Sequence, residues 1–214
     1  MLDSKIIERV GEDSQNFEQH LKRYVFASKF VKNKRVLDVA CGTGYGTEYL
    51  AKHKAKEVIG VDNSKDAIAY SKGKYSGKFL VMDATKMQFK DNYFDVVVSF
   101  ETIEHIKDWG KFIDEIKRIT KQNGTVVMST PNYKFEIVKN KYHVSNFKKG
   151  MFIRMFNQKF GGVRIFGQSK WFLAFPGRGI FERLIGYNRN SDIHELQVNS
   201  DPQILIGVGK VIKR

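Results

Sequence analysis

Residues 36–47 read VLDVACGTGYGT: an apolar, strand-forming run broken by one carboxylate, then glycines at 42, 44 and 46. Few folds accept that order. Glycines lack a Cβ, so the backbone can turn sharply and let a ligand approach closely. A helix opening directly after such a turn offers free N–H groups and a partial positive charge to an anionic group. Asp62 lies 20 residues after Gly42 and closes a second apolar run, EVIGVD. A carboxylate there can accept both hydroxyls of a ribose. Strand, glycine turn, helix and an acid at the end of the next strand together describe the nucleoside-binding corner of a doubly wound sheet.

The chain continues that alternation. Short β-rich runs are predicted at 35–39, 57–61, 79–82, 95–100 and 125–129, with helical patterns at about 46–54, 64–73 and 108–121. Asn63 and Ser64 supply a helix start, and Asn123–Gly124 a helix stop. Ahead of the first strand, Phe17, Leu21, Tyr24, Val25, Ala27 and Phe30 recur at three- and four-residue spacing, which predicts an amphipathic helix over 15–31. The run Val96, Val97, Val98 is apolar throughout, as in a strand buried on both faces by helices. Beyond Pro131 the rhythm weakens. Residues 132–200 are rich in aromatics and lysine, with a helix near 147–159 and a strand near 162–166, before a closing strand at 204–211. They are expected to form a substrate-side insertion or cap within a single domain spanning 1–214. Trp171, Phe172, Phe175 and Phe181 are its candidate pocket-lining aromatics, with a dimer surface or ordinary core as the alternatives.

Charge and cysteine usage bound the partners. The net charge of +14 favours anionic ones, although the lysines are dispersed along the chain, as on a solvated surface. The one cysteine, Cys41, excludes an internal disulfide and is expected to be a small buried filler. Residues 1–11 are charged and lack the apolar core of a signal peptide, and no apolar run approaches the roughly 18–20 residues of a membrane span. A cytoplasmic protein is expected.

The turn discriminates between nucleosides. Thr47 occupies the place of the third glycine in the dinucleotide fingerprint, and Asp38 would repel a pyrophosphate while welcoming an ammonium group. S-adenosylmethionine has a ribose, an α-amino group, a carboxylate and a sulfonium, and no phosphate. VLDVACGTGYGT resembles the first motif of class I S-adenosylmethionine-dependent methyltransferases; VIGVDNS is similar to their second, FLVMDATKMQF to the third and FDVVVSFETIEHI to the fourth. VVMSTPN followed by NKYHVSNF looks like the variant in small-molecule, sugar and quinone-precursor O-methyltransferases. The resemblance covers residues 15–166 and the closing strand. It implies an α/β fold: a doubly wound, Rossmann-like seven-stranded sheet, mostly parallel with a reversed last strand, and helices on both faces. It also implies cofactor contacts from Asp38, Ala40, Gly42, Gly44, Tyr45, Asp62, Asn63, Asp83, Ala84 and Phe100, with Asp83 on the adenine amino group and Ala84 beneath the ring. His20 and Tyr24 lie one turn apart on a helix that often covers the cofactor in this family, though core packing is the expectation for Tyr24.

The catalytic candidates are Glu101, Glu104 and His105, after the fourth strand. On a helical turn these positions share one face. Such a set can bind a divalent cation such as magnesium, which would lower a substrate hydroxyl's pKa and orient it. Alternatively, His105 acts as a general base held by a carboxylate, or the three are structural. Some quinone-precursor methyltransferases with an E-x-x-E-H segment are metal-dependent. The small-RNA 2′-O-methyltransferases add a distant histidine, for which His143 is the candidate, although their paired histidines are absent from His143-Val144-Ser145. The expected acceptor is a small molecule (sugar, glycan intermediate or phenol), anionic if the basic surface selects it. RNA is the alternative, without a recognisable RNA-binding module. A non-catalytic binding module is the third reading; a homodimer is one assembly open to the chain, whose oligomeric state the sequence does not fix.

Overall fold

The computed structural model describes residues 17–135, 140–168, 193–197 and 200–213. Helix α1 (Phe17–Ala27) leads through a 3-10 turn into β1 (Arg35–Val39). There follow α2 (Tyr45–Lys52), β2 (Glu57–Asp62), α3 (Lys65–Lys74), β3 (Lys78–Val81), β4 (Phe94–Phe100), α4 (Trp109–Ile119) and β5 (Thr120–Pro131). The last elements are α5 (Lys149–Lys159), β6 (Gly161–Gln168), β7 (Ile193–Glu195) and β8 (Ile204–Lys210). The sheet order is β3-β2-β1-β4-β5-β8-β6-β7. The first five strands are parallel neighbours, and β8 is reversed between β5 and β6.

Among the described residues, eight strands stand where seven were expected. The extra one, β7, has three residues that pair with Phe166, Gly167 and Gln168 of β6; so short a run has no alternation to read. The expected helix stop is also displaced. Helix α4 ends at Ile119, and Thr120 is already paired to Phe94. Asn123, at φ +59°, and Gly124 sit inside β5, where its register with β4 shifts.

Side chains alternate across each strand, and this builds two cores. Leu37, Val97 and Val126 pack against Phe112 and Ile116 of α4 and Phe152 and Phe156 of α5. Val36, Val96 and Val98 face the opposite side, with Tyr24 and Phe26 of α1 and Leu50 of α2. The Phe26 ring meets Phe166 of β6 at 4.8 Å, so α1 reaches across the sheet. Ser64 accepts from the Ala67 N–H at the start of α3, and Asp108 from the Lys111 N–H at the start of α4; such caps satisfy helix donors that otherwise lack partners. Because β6 is antiparallel to β8, it runs with β1, β4 and β5, and all their carboxyl ends open at one edge. No helix among the described residues is long and apolar enough to cross a membrane. Trp171, Phe172, Phe175 and Phe181 lie outside the described residues, while Phe147, Phe152 and Phe156 are core.

Candidate functional site

A cavity of about 1060 Å³ occupies that edge. Its wall combines the turn after β1 (Ala40, Gly42, Tyr45), the end of β2 (Asp62, Asn63), the stretch after β3 (Asp83, Ala84) and the end of β4 (Phe100, Glu101). His20 and Tyr24 of α1 lie across it, and Asn140, Tyr142 and His143 close the far side.

The glycines have separate duties. Gly42, at φ +54°, has nothing within 4 Å of where a Cβ would stand. Its N–H donates to Asp62 Oδ2 at 2.9 Å, while the Ser64 N–H donates to Oδ1 at 2.9 Å. Asp62 thereby ties the end of β2 to the glycine turn, and each oxygen retains acceptor capacity. Gly44, at φ +82°, starts α2, and a Cβ there would lie 2.7 Å from Ser71 Oγ and 2.8 Å from the Phe79 ring. It is outside the cavity lining, and the missing Cβ is what lets Ser71 and Phe79 pack against it.

Asp38 is also set back from the cavity. It is fully buried, on the α1 face of β1, and does not line the cavity. Tyr24 Oη donates to its Oδ1 at 3.2 Å and Thr47 Oγ1 to its Oδ2 at 2.7 Å. Burial pushes its carboxyl up to about 7, against the pull of those two hydrogen bonds. Thr47, noted in the sequence for the glycine it replaces, is thus the partner of the buried acid. Tyr24 is both core and cavity wall. Cys41 is buried, and burial pushes its thiol up, which keeps it inert.

Asp83 lines the cavity with its carboxyl below the usual range, because Oδ1 accepts from both the N–H and the hydroxyl of Thr85, each at 2.7 Å. Ala40 (φ +57°) and Glu101 (φ +51°) end the adjacent strands β1 and β4 in left-handed backbone, and both line the cavity. Such conformations cost of order 1–3 kcal/mol each and cluster at functional sites.

Glu101, Glu104 and His105 do meet at one cavity, but not as a helical face. The left-handed Glu101 precedes a 3-10 turn, Ile103–His105. Glu101 Oε1 accepts from Ser129 Oγ at 2.9 Å. Glu104 is buried, and Thr130 Oγ1 donates to its Oε2 at 3.0 Å while Oε1 has no partner. Burial, and then the neighbouring Glu101 carboxylate, push the Glu104 carboxyl well above the usual range. His105 Nδ1 lies 3.0 Å from the Tyr142 carbonyl. A carbonyl can only accept, so the neutral ring carries its proton on Nδ1 and its lone pair on Nε2. The Val144 and Ser145 N–H groups donate to the Glu104 carbonyl, stitching this turn to the segment that bears His143. The His105 and His143 rings are 4.9 Å apart, and ligand atoms of Glu104, His105 and His143 lie within 4.8 Å of one another. Glu101 is not part of that cluster. Pattern reading missed Ser129, Thr130 and the Tyr142 carbonyl, because pairing across strands and loops leaves no spacing signature.

Residues 37–128 match the family described as methyltransferase domain. A probable S-adenosylmethionine-dependent methyltransferase of Mycobacterium tuberculosis is 34% identical over 118 residues, 54% of this chain and 42% of that protein. The ubiquinone biosynthesis O-methyltransferase of Pelagibacter ubique is 34% identical over 125 residues, 54% of this chain and 52% of that one. The chain thus spans about half the length of these relatives. A solved SAM-dependent methyltransferase from Archaeoglobus fulgidus has the same fold, with a TM-score of 0.67 over 97% of this chain and 99% of its own at 22% identity.

Proposed function

We propose that this chain, whose residues 37–128 match the methyltransferase domain family and whose fold is that of a solved SAM-dependent methyltransferase, is an S-adenosylmethionine-dependent methyltransferase acting on an oxygen of a small-molecule acceptor. The observation that carries this reading is the Asp62 bridge. One carboxylate holds the open glycine turn and the start of α3 at 2.9 Å each, facing a cavity large enough for a nucleoside and an acceptor. Around that bridge, Asp83 and Ala84 offer an acceptor group and a flat apolar contact for a purine, Asp62 and Asn63 hold a ribose, and Ala40, Gly42, Tyr45 and Phe100 surround the amino-acid end.

When bound, the cofactor supplies a methyl group activated by a sulfonium. The protein has two remaining tasks. It aligns an acceptor oxygen behind that carbon, and such alignment contributes on the order of 7–11 kcal/mol in favourable systems. It also takes the hydroxyl proton as the C–O bond forms and the S–C pair returns to sulfur. We assign that proton transfer to His105, with Nε2 as the basic nitrogen; the Tyr142 carbonyl, which orients its ring, supports the reading.

The cluster of Glu104, His105 and His143 favours a second reading of the same step. The unpartnered, buried Glu104 Oε1 and two imidazoles suit a divalent cation that takes nitrogen ligands, such as manganese or zinc, better than magnesium; such an ion would supply Lewis acidity to the acceptor oxygen. Calorimetric titration of S-adenosylmethionine into the protein, with and without each metal, tests both. Binding at one site per chain is expected, and its absence would overturn the methyltransferase reading. Metal heats lost in His143→Ala select the metal-assisted step, and their absence from the wild type selects the plain base.

A further inference from the structure

Arg23 is a buried cation that the proposed reaction does not use. It is 1% exposed, in the middle of α1 between the cavity-lining His20 and Tyr24. One edge of its guanidinium is fixed: Nη1 donates to Gln168 Oε1 at 2.8 Å. Gln168, at the end of β6, is itself locked, since its Nε2 donates to the Gln19 carbonyl and side-chain oxygens at 3.0 Å each. The other edge, Nε and Nη2, has no hydrogen-bond partner. Those two N–H bonds run parallel and match the two oxygens of a carboxylate or phosphate. Buried charges are ordinarily paired, because stripping water from an unpaired one is costly.

The position of this edge narrows the ligand. Asp62 ends β2 and Asp83 comes after β3 at one side of the sheet, whereas Gln168 ends β6, beyond β4, β5 and β8 at the other. Tyr45 and Glu104, both in the cavity wall, lie within electrostatic reach of Arg23. Tyr45 stands at the amino-acid end of the proposed cofactor and Glu104 beside the proposed base, so the guanidinium lies behind the wall where the cofactor and acceptor halves of the cavity meet, and its anchor on β6 sets it to the acceptor side. The net charge of +14 would draw an anion towards it.

We propose that the Nε/Nη2 edge of Arg23 docks an oxyanion, a carboxylate or a phosphate monoester, carried by the methyl acceptor. This rests on the methyltransferase reading and narrows its substrates to anionic hydroxyl compounds. Because the edge is closed to water, docking is coupled to a local opening, and the closed pair then forms in a low-dielectric setting.

The test uses the full chain saturated with S-adenosylhomocysteine and titrated with inorganic phosphate and, separately, benzoate. The arginine Nε–H resonances of the ¹⁵N-labelled protein are followed. One of them is expected to shift saturably, to be missing from Arg23→Gln, and to mark binding that is at least tenfold weaker in that variant. Arg23→Lys, which keeps the charge and loses the edge, should fall between the two and replaces the glutamine variant if that fails to fold. S-adenosylmethionine affinity should change less than threefold. Saturation by phosphate alone marks a phosphate acceptor, and by benzoate a carboxylate. Binding to Arg23→Gln as tight as to the wild type, or no shift with either anion, overturns the proposal. So does a tenfold loss of S-adenosylmethionine affinity in Arg23→Gln, which gives the edge to the cofactor's own carboxylate. Failure of the wild type to bind S-adenosylmethionine sinks the methyltransferase reading instead, and the anion titration of the unloaded protein is then read by itself.

Discussion

The Tyr24 hydroxyl reaches Asp38 Oδ1 at 3.2 Å through the layer between α1 and β1, and the same ring stands edge-on to Phe100 at 5.0 Å. One residue thereby joins the covering helix, the strand beneath the glycine turn and the end of β4. Gly46 is what admits it: a Cβ at that position would lie 1.9 Å from Tyr24 Cζ. Gly46→Ala is expected to destabilise the protein by about 1–3 kcal/mol, as overpacked cores do. The loss should shrink in a Tyr24→Ala background. Urea unfolding of the four proteins measures it, and an equal loss in both backgrounds would show that the clash is not with Tyr24.

Asp38 makes stability depend on pH. Its carboxyl is pushed up to about 7 in the fold from an ordinary 3.8, chiefly by burial. Between those values the folded state keeps a proton that the unfolded chain has released. The associated stability is complete below about pH 4 and is lost as pH rises through about 7. Asp38→Asn does not titrate, so its unfolding free energy relative to the wild type should improve from pH 5 to pH 8. A difference that stays constant over that range would refute this.

Asp62→Ala is expected to abolish S-adenosylmethionine binding in calorimetry, because it removes the proposed ribose acceptor and also frees the Gly42 and Ser64 N–H groups it holds. Asp62→Asn separates these roles. It keeps one acceptor oxygen for the loop and should retain the thermal stability that the alanine variant loses, while still binding the cofactor at least tenfold more weakly. Wild-type affinity in either variant would count against a ribose contact.

Glu104→Gln replaces a buried carboxylate with one unpartnered oxygen by a neutral group of the same shape. At pH 8 the variant should unfold at a higher denaturant concentration than the wild type, since burial and the neighbouring Glu101 carboxylate oppose the Glu104 charge more than Thr130 and Arg23 favour it. If a divalent cation belongs there, any manganese-induced stabilisation of the wild type should be absent from the variant. Glu104→Gln being less stable at pH 8 would mean that the carboxylate is paired in a way this geometry does not show.

His105→Ala should leave S-adenosylmethionine affinity within about twofold while removing S-adenosylhomocysteine formation with an acceptor that the wild type methylates. Undiminished turnover would exclude His105 as the base.

The glycine turn, Asp62 and the strand–helix rhythm of residues 35–129 were legible because each is local: a conformational need, a strand end or a periodicity within a dozen residues. Asp38 shows where local reading stops. It stands at a strand end like Asp62, but the pleat turns it with Val36 towards α1, where Tyr24 and Thr47 meet it. A hydroxyl residue nine positions later, in place of a glycine, was the available hint. The 101–105 segment was read with helical spacing, yet Glu101 takes left-handed backbone and turns the chain before the 3-10 residues begin. The carboxylates still reach one cavity because Ser129 and Thr130, at the end of the neighbouring β5, hold them there. Partners recruited across a sheet are decided by register, which no single segment displays.

The bond from Arg23 to Gln168 spans 145 residues of sequence. During synthesis α1 leaves the ribosome long before β6 exists. At roughly 5–20 residues per second, that helix waits on the order of 10–30 s for the strand that fixes its guanidinium. Until then the glycine turn and β1–β5 can assemble without the Gln168 anchor of the helix above them. The chamber is therefore expected to be finished late, and a stalled or truncated chain would present the nucleoside half of the site beside an unanchored arginine.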